Sequence, residues 1–327
     1  MIEHNIAQQV LFSPVNAGAD TLLILSAYAT PNMASWLIKN LQERNLGQIS
    51  IKLIVGMTPY NGISLDVHKG FIELKHNCYP EQSAFSCSYV YENPPVHSNL
   101  YLWLKESFPM AAFTGSMEFL QSSFVSGRCE LAEECNPQDA LVYFNSAEAR
   151  SIYCDSNDIE EYIIIKNKHP ILDEESDPRG QLSGEGITQV TLPLLSRSGD
   201  TGKKSGLNWG HRNKRNRNEA YIPLPARIAK SGFFPLGKKH FTAWTDDGHN
   251  LILRVEQANN KAITTPMSNA LLGEYFRGRI ERANGAYVSL QDLEVYGRTD
   301  VTFYKIDDEE YYMDFSVAKE AQMNANG

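Results

Sequence analysis

The chain has 327 residues, enough for two domains, with 42% hydrophobic residues and a formal net charge of −9. No apolar run reaches the roughly 18 residues that span a bilayer. Met1-Ile2-Glu3-His4-Asn5 has neither region of a signal peptide, so a cytoplasmic protein is expected. The five cysteines (Cys78, Cys87, Cys129, Cys135, Cys154) are odd in number and form no C-x-x-C pair, which points to reduced thiols and away from a disulfide frame or a zinc site.

In chain order, Thr21–Tyr28 is a continuous apolar run, the mark of a strand buried on both faces. Pro31 opens a helical pattern through Met33, Trp36, Leu37, Ile38 and Leu41. Ile51–Met57 reads as a strand, Leu65–Leu74 as a helix and Phe85–Tyr91 as a strand. Leu100–Trp103 and Ala111–Thr114 read as paired strands, with the turn over Lys105–Pro109. Glu130 falls in one more short strand, and Asn136-Pro137-Gln138-Asp139 caps a helix running towards Tyr153. Strands interleaved with helices imply an α/β layered domain over residues 1–170.

Residues 171–186 are acidic, contain Gly and Pro, and read as a linker. Beyond them, from 187 to 327, short β runs follow: Val190–Leu195, Tyr221–Leu224, Phe241–Trp244, Leu251–Val255, Val301–Ile306 and Tyr311–Phe315. Only Pro225–Ser231 and Ser268–Gly278 read as short helices, which favours an all-β barrel or pseudobarrel. Charge is uneven here. From Arg197 to Lys239 there are eleven basic residues, Lys203, Lys204, Arg212, Lys214, Arg215 and Arg217 among them, against Asp200 and Glu219. Local charge of this kind, inside an acidic protein, attracts phosphates.

Two stretches are far more specific than the rest. Val96-His97-Ser98-Asn99-Leu100-Tyr101-Leu102-Trp103 is followed by Gly115-Ser116-Met117-Glu118-Phe119, and then by Arg128-Cys129-Glu130 leading to Cys135-Asn136-Pro137. The first run resembles the H-x-K-x-Y-x-W segment of phospholipase-D-like nucleases and the second their G-S-x-N-F. The third resembles the Q-R-E-V-M-V-x-C-D-P stretch of NgoFVII-type restriction endonucleases. In the second half, Gly206–Asn213 with Arg215, Arg217, Asn218 and Glu219, and Leu272-Gly273-Glu274-Tyr275-Phe276-Arg277, resemble the C-terminal region of the same enzymes. The resemblance is collinear over nearly the whole chain.

It implies a phospholipase-D-like α/β/α domain followed by a B3-like DNA-binding pseudobarrel. His97 would be the nucleophile, forming a phosphohistidine. Glu130 would orient its imidazole, with a solvated strand-edge acid as the alternative. Asn99 stands where the family has a phosphate-neutralising lysine and Glu118 where it has an asparagine; Ser116 completes the site, or is a turn donor. One motif per chain implies a homodimer with the active site on its two-fold axis. No cofactor is implied, and no metal is called for. Double-stranded DNA would be gripped between two arms. The first holds Trp209, Arg212, Asn213, Lys214, Arg215, Arg217, Asn218 and Glu219, and the second Asn269, Tyr275, Arg277 and Arg279. Arginine, asparagine and glutamate are the side chains that read base edges, and the weight of arginine leads to an expected G/C-containing site. Glu274 and Tyr275 read equally well as a helix-packing pair, and the lysines as a solvated surface. With no G-x-x-x-x-G-K-[ST] loop in the chain, the resemblance admits a separate helicase-like ATPase subunit as partner.

The function expected is therefore a site-specific DNA endonuclease. Two rivals stand beside it: a sequence-specific binding protein with an attenuated phospholipase-D-like domain, and a small-phosphodiester or lipid hydrolase, against which the basic second half counts.

Overall fold

The computed structural model describes residues 1–77, 85–125, 128–166, 188–196 and 198–317, so the segment expected as a linker lies outside the described residues. Two compact units emerge, Met1–Leu172 and Asp173–Gly327.

The first unit is a mixed α/β fold. Its elements are β1 (Thr21–Ser26), α1 (Pro31–Glu43), β2 (Ser50–Val55), α2 (Leu65–Asn77), β3 (Phe85–Val90), β4 (Leu100–Lys105), β5 (Phe108–Gly115), β6 (Ala132–Cys135), α3 (Pro137–Glu148) and β7 (Ser151–Tyr153). They form one seven-stranded sheet in the order β6-β5-β4-β1-β2-β3-β7. β1, β2 and β3 run parallel, and β4 to β7 join antiparallel. β1 lies at the centre, which explains its unbroken apolar run. Leu23 and Leu25 pack with Ala140, Phe144 and Ala147 of α3, while Leu22 and Ile24 are equally buried on the other face. Thr30 caps α1 by accepting from Met33 N, and Asn136 caps α3 by accepting from Gln138 N and Asp139 N.

Three features differ from expectation. α3 stops at Glu148, because Ser151–Tyr153 instead pairs with the otherwise open edge of β3. Glu130 precedes its strand; β6 begins at Ala132. A π-helical turn over Ala7–Phe12, for which no element was expected, buries Val10, Leu11 and Phe12, and Trp103 Nε1 donates to Val10 O at 2.7 Å.

In the second unit, β8 (Gln189–Pro193), β9 (Ile222–Pro223), β10 (His240–Thr245), β11 (Asn250–Glu256), β12 (Ala262–Thr264), α4 (Asn269–Arg279), α5 (Leu290–Tyr296), β13 (Asp300–Lys305) and β14 (Glu310–Asp314) follow in sequence. The seven strands order as β8-β13-β14-β10-β11-β12-β9, and the two end strands approach each other, giving a nearly closed barrel. Phe234, Phe241, Phe303 and Tyr311 fill its core. β12 and α5 were not expected. β12 is only three residues long. α5 carries a capping box from Ser289 to Asp292 but buries only Leu293, so its apolar period is too weak to read.

α4, expected as the second DNA-reading arm, has three of its four named side chains engaged inside the unit. Arg277 is fully buried. Its Nε donates to Ala286 O at 2.8 Å and its terminal nitrogens to the carbonyls of Gly273 (3.1 Å), Leu207 (3.1 Å), Arg217 (3.3 Å) and Asn218 (3.4 Å). Arg279 holds Asp246 through two bonds (2.9 and 2.6 Å) and donates to the hydroxyls of Tyr275 and Tyr296. Tyr275 is itself buried. All three hold the barrel and its loops. Gly273 is required here, since a Cβ would lie 1.7 Å from Asn218 O.

Arg277→Met is therefore expected to lower stability by at least about 3 kcal/mol, because several carbonyls lose their donor at once. Arg277→Lys should recover little, since one ammonium cannot replace a planar fork. Urea unfolding followed by tryptophan fluorescence measures both, and an unchanged midpoint for Arg277→Met would remove the argument.

Candidate active site and nucleic-acid interface

In the first unit the strand register brings the sequence motifs together. Continuing the β1–β4 pairing places Ser26 opposite Asn99, the β4–β5 pairing places Asn99 opposite Gly115, and β5–β6 pairs Gly115 with Ala132. At this row an open cleft of about 270 Å³ is lined by His97, Ser98, Asn99, Ser116, Leu131 and Glu133, with others. Gly115 is obligatory, because a Cβ would lie 1.9 Å from Leu131 O.

His97 is exposed at the cleft. Its ring stands edge-to-face with Tyr28, centroids 6.2 Å apart at 85°, and Tyr28 OH in turn accepts from Asn61 Nδ2 at 2.5 Å. Next to it, Ser98 Oγ lies 2.6 Å from the hydroxyl of Tyr143 on α3. Glu130 takes the hydroxyls of Ser116 and of Ser123 (2.9 Å) on its two carboxylate oxygens, and Leu131 N donates to Ser116 Oγ at 3.0 Å. The structure thus joins Glu130 to Ser116 and Ser123, not to His97. Glu118 pairs with Arg128 at 3.3 Å.

Asn99 is not an open gap where a lysine would stand. It is buried, its Oδ1 accepting from Ser26 Oγ (3.0 Å) and Ala27 N (3.2 Å), and its Nδ2 reaching the carbonyls of Gly115 and Ser116 (3.4 Å each). A side chain so engaged ties β1 to the β4–β5 hairpin at the floor of the cleft. Sequence reading did not single out Tyr28, Asn61 or Ser123. The available signal for Tyr28 was its place just beyond the carboxyl end of the central strand.

In the second unit, residues 203–219 form a loop pinned at both ends. Asn208, fully buried, exchanges two bonds with the backbone of Val288 (2.8 and 2.9 Å). Asn218, expected to read bases, is buried instead. It donates to Glu274 Oε1 at 3.0 Å and accepts from Gly285 N at 2.5 Å. Between these pins Arg212, Asn213, Lys214, Arg215 and Arg217 are all exposed, as are Lys203 and Lys204.

The arginines are not equivalent. The Arg215 guanidinium lies 3.9 Å over the Trp209 ring and pairs with Glu219, so Trp209 and Glu219 hold an arginine in place. Arg217 donates to His211 Nδ1 at 3.0 Å. Burial first, then the neighbouring Arg217, hold the His211 pKa below the ordinary value, against a backbone bond to Ala286 that raises it. A neutral imidazole can accept that bond. Arg212 Nε donates to Lys204 O at 2.8 Å, and the residue is exposed. Arg215 and Arg217 therefore take separate partners, and the two-residue spacing does not by itself place them on one side. Asn269 opens α4, its backbone carbonyl accepting from Ala220 N at 3.1 Å.

No helix among the described residues is long and apolar enough to cross a membrane. Residues 4–161 match the family described as NgoFVII restriction endonuclease N-terminal PLD domain. Residues 182–307 match the NgoFVII C-terminal B3-like DNA-binding domain. Among solved structures the chain is similar to NucT from Helicobacter pylori, at 14% identity and a TM-score of 0.32, over 45% of this chain and 90% of that one. No curated protein matches the sequence. With a phospholipase-D-like nuclease domain and a B3-like DNA-binding domain in the same order, the chain belongs to the NgoFVII restriction endonuclease family.

Proposed function

We propose that this chain is the cleavage and recognition subunit of a restriction system, a cytoplasmic, site-specific endonuclease that works as a homodimer without a metal. An imidazole nitrogen of His97 attacks the phosphorus; a P–N bond forms as one P–O ester bond breaks. His97 of the second copy protonates the leaving oxygen, then draws a proton from the water that attacks the phosphohistidine, releasing the phosphate end and free His97. The observation that carries this reading is the exposed His97 beside the Ser116–Glu130–Ser123 cluster in one chain with an exposed cationic loop. The loop's side chains divide the work: guanidinium groups held by Trp209, Glu219 and His211 read base edges, and Lys203 and Lys204 meet phosphates. A helicase-like ATPase partner fits the same assignment.

A second reading has its own observation. Asn99 is internal, and the cleft lining described includes Glu133 but no lysine or arginine. A binding subunit whose nuclease domain is attenuated, cutting only with an ATPase partner, would look like this.

His97→Ala is expected to abolish cleavage of plasmid DNA in EDTA, assayed with and without the products of neighbouring genes, while specific binding persists, since the two functions sit in different units. Wild-type cutting by the variant would defeat the phosphohistidine mechanism. Tight specific binding without cuts by the wild type in every combination would favour the second reading.

Arg215→Ala should cost about 1–3 kcal/mol on the specific duplex and relax preference at one base pair. Lys203→Ala should weaken all sequences alike and flatten the salt dependence by about one unit of slope. Isotherms on matched and mismatched duplexes at several salt concentrations separate them. Equal losses on specific and random DNA for Arg215→Ala would demote it to an anchor, and selection of a pure A/T site would count against arginine readout.

A further inference from the structure

The catalytic cleft poses a charge problem that the nuclease reading leaves open. A phosphodiester is an anion, and holding one beside Glu118, Glu130 and Glu133 needs a compensating cation. Asn99 cannot supply it. Lys105 cannot either: it closes β4 at the end away from the cleft, six residues from Asn99 and so roughly 20 Å along an extended strand.

Between Lys105 and Arg150 the sequence holds seven carboxylates and a single cation, Arg128. The structure puts that cation on the site's own loops. Arg128 NH1 lies 3.3 Å from Glu118 Oε2, two residues from Ser116. Arg128 also stands two residues before Glu130, whose carboxylate Ser116 and Ser123 hold. The 116–118 and 128–131 segments are laced together by Ser116 N to Leu131 O (3.0 Å) and Leu131 N to Ser116 Oγ (3.0 Å). Half of the Arg128 side chain is exposed (52%), while that of Glu118 is mostly covered (20%). One guanidinium nitrogen is thus anchored on a carboxylate while half of the side chain stays exposed, which suits charge-assisted bonds with phosphate oxygens.

Set against the motifs quoted above, four positions depart together. Asn99 stands at a lysine, Glu118 at an asparagine, Arg128 at a glutamine and Cys129 at an arginine. The arginine of the third motif is thus moved one residue earlier, to Arg128, and the carboxylate gained at position 118 pairs with it there. We propose that Arg128, positioned by Glu118, is the phosphate-binding cation of this active site, in place of a lysine at position 99. The inference rests on the nuclease reading for its site, but it concerns anion binding and is tested without turnover.

Inorganic phosphate serves as the ligand. Full-length protein labelled in its histidines is titrated with phosphate while the His97 ring resonances, assigned by their loss in His97→Gln, are followed by NMR. Wild type is expected to bind, Arg128→Ala to bind about 10- to 100-fold more weakly, and Arg128→Lys to recover part of the loss. The fold should survive, because exposed ion pairs contribute little to stability. Arg150→Ala is the control: its guanidinium donates to Pro94 O at 2.6 Å, three residues from His97, and should leave phosphate binding unchanged. Equal affinity in wild type and Arg128→Ala overturns the proposal. So does a wild-type His97 that does not respond to phosphate, or a loss in Arg150→Ala as large as in Arg128→Ala. Failure of the nuclease reading shows separately, as cleavage that survives His97→Ala.

Discussion

The buried amide of Asn99 is the contact on which the arrangement of the catalytic half depends. It bonds to β1 through Ser26 and Ala27 and to the end of β5 through two carbonyls, locking three strands in one register. A slip of one residue in either pairing would turn every side chain to the opposite face. His97 would then leave the cleft and Ser116 would leave Glu130. The position that the motif marks as a missing cation is in this chain a joint of the scaffold, and a lysine there would place an ammonium among buried backbone groups.

The recognition half uses the same principle with charge. Arg277 gathers carbonyls from α4, from the Gly206–His211 turn, from the end of the cationic loop and from Ala286. Backbone carbonyls satisfy its donors without a carboxylate. Asn208 and Asn218 close the two ends of the loop in the same way, side chain to backbone. The exposed arginines are therefore carried on a frame held by side-chain bonds to backbone.

Much of this architecture was legible in the sequence. Central strands of the first unit announce themselves as continuous apolar runs because both faces are covered, and Pro31 and Asn136 mark helix starts by their first-turn and capping chemistry. Weak elements escaped: α5 buries one side chain, β12 has three residues, and β7 was absorbed into the helix before it. At the site, the motif residues His97, Ser116 and Glu130 converge because register brings them together, but residue type could not show that Glu130 engages serines. Arginine was the hardest to read. Arg215 and Arg277 are chemically identical, and only packing separates an exposed arginine from a buried brace. The spacing of Arg277 four residues after Gly273, on the buried side of α4, was the one available hint.

The pinned loop has a thermodynamic consequence. Because Asn208, Asn218 and Arg277 fix its backbone before any ligand arrives, the ordering entropy of the loop belongs to folding rather than to association. Arg215 and Arg217 already rest on Trp209 and His211, so less of their rotor freedom remains to be frozen on contact. Engagement of a duplex by this loop would then proceed without coupled folding, and its heat-capacity change would reflect surface removed from water at the interface, not residues newly ordered.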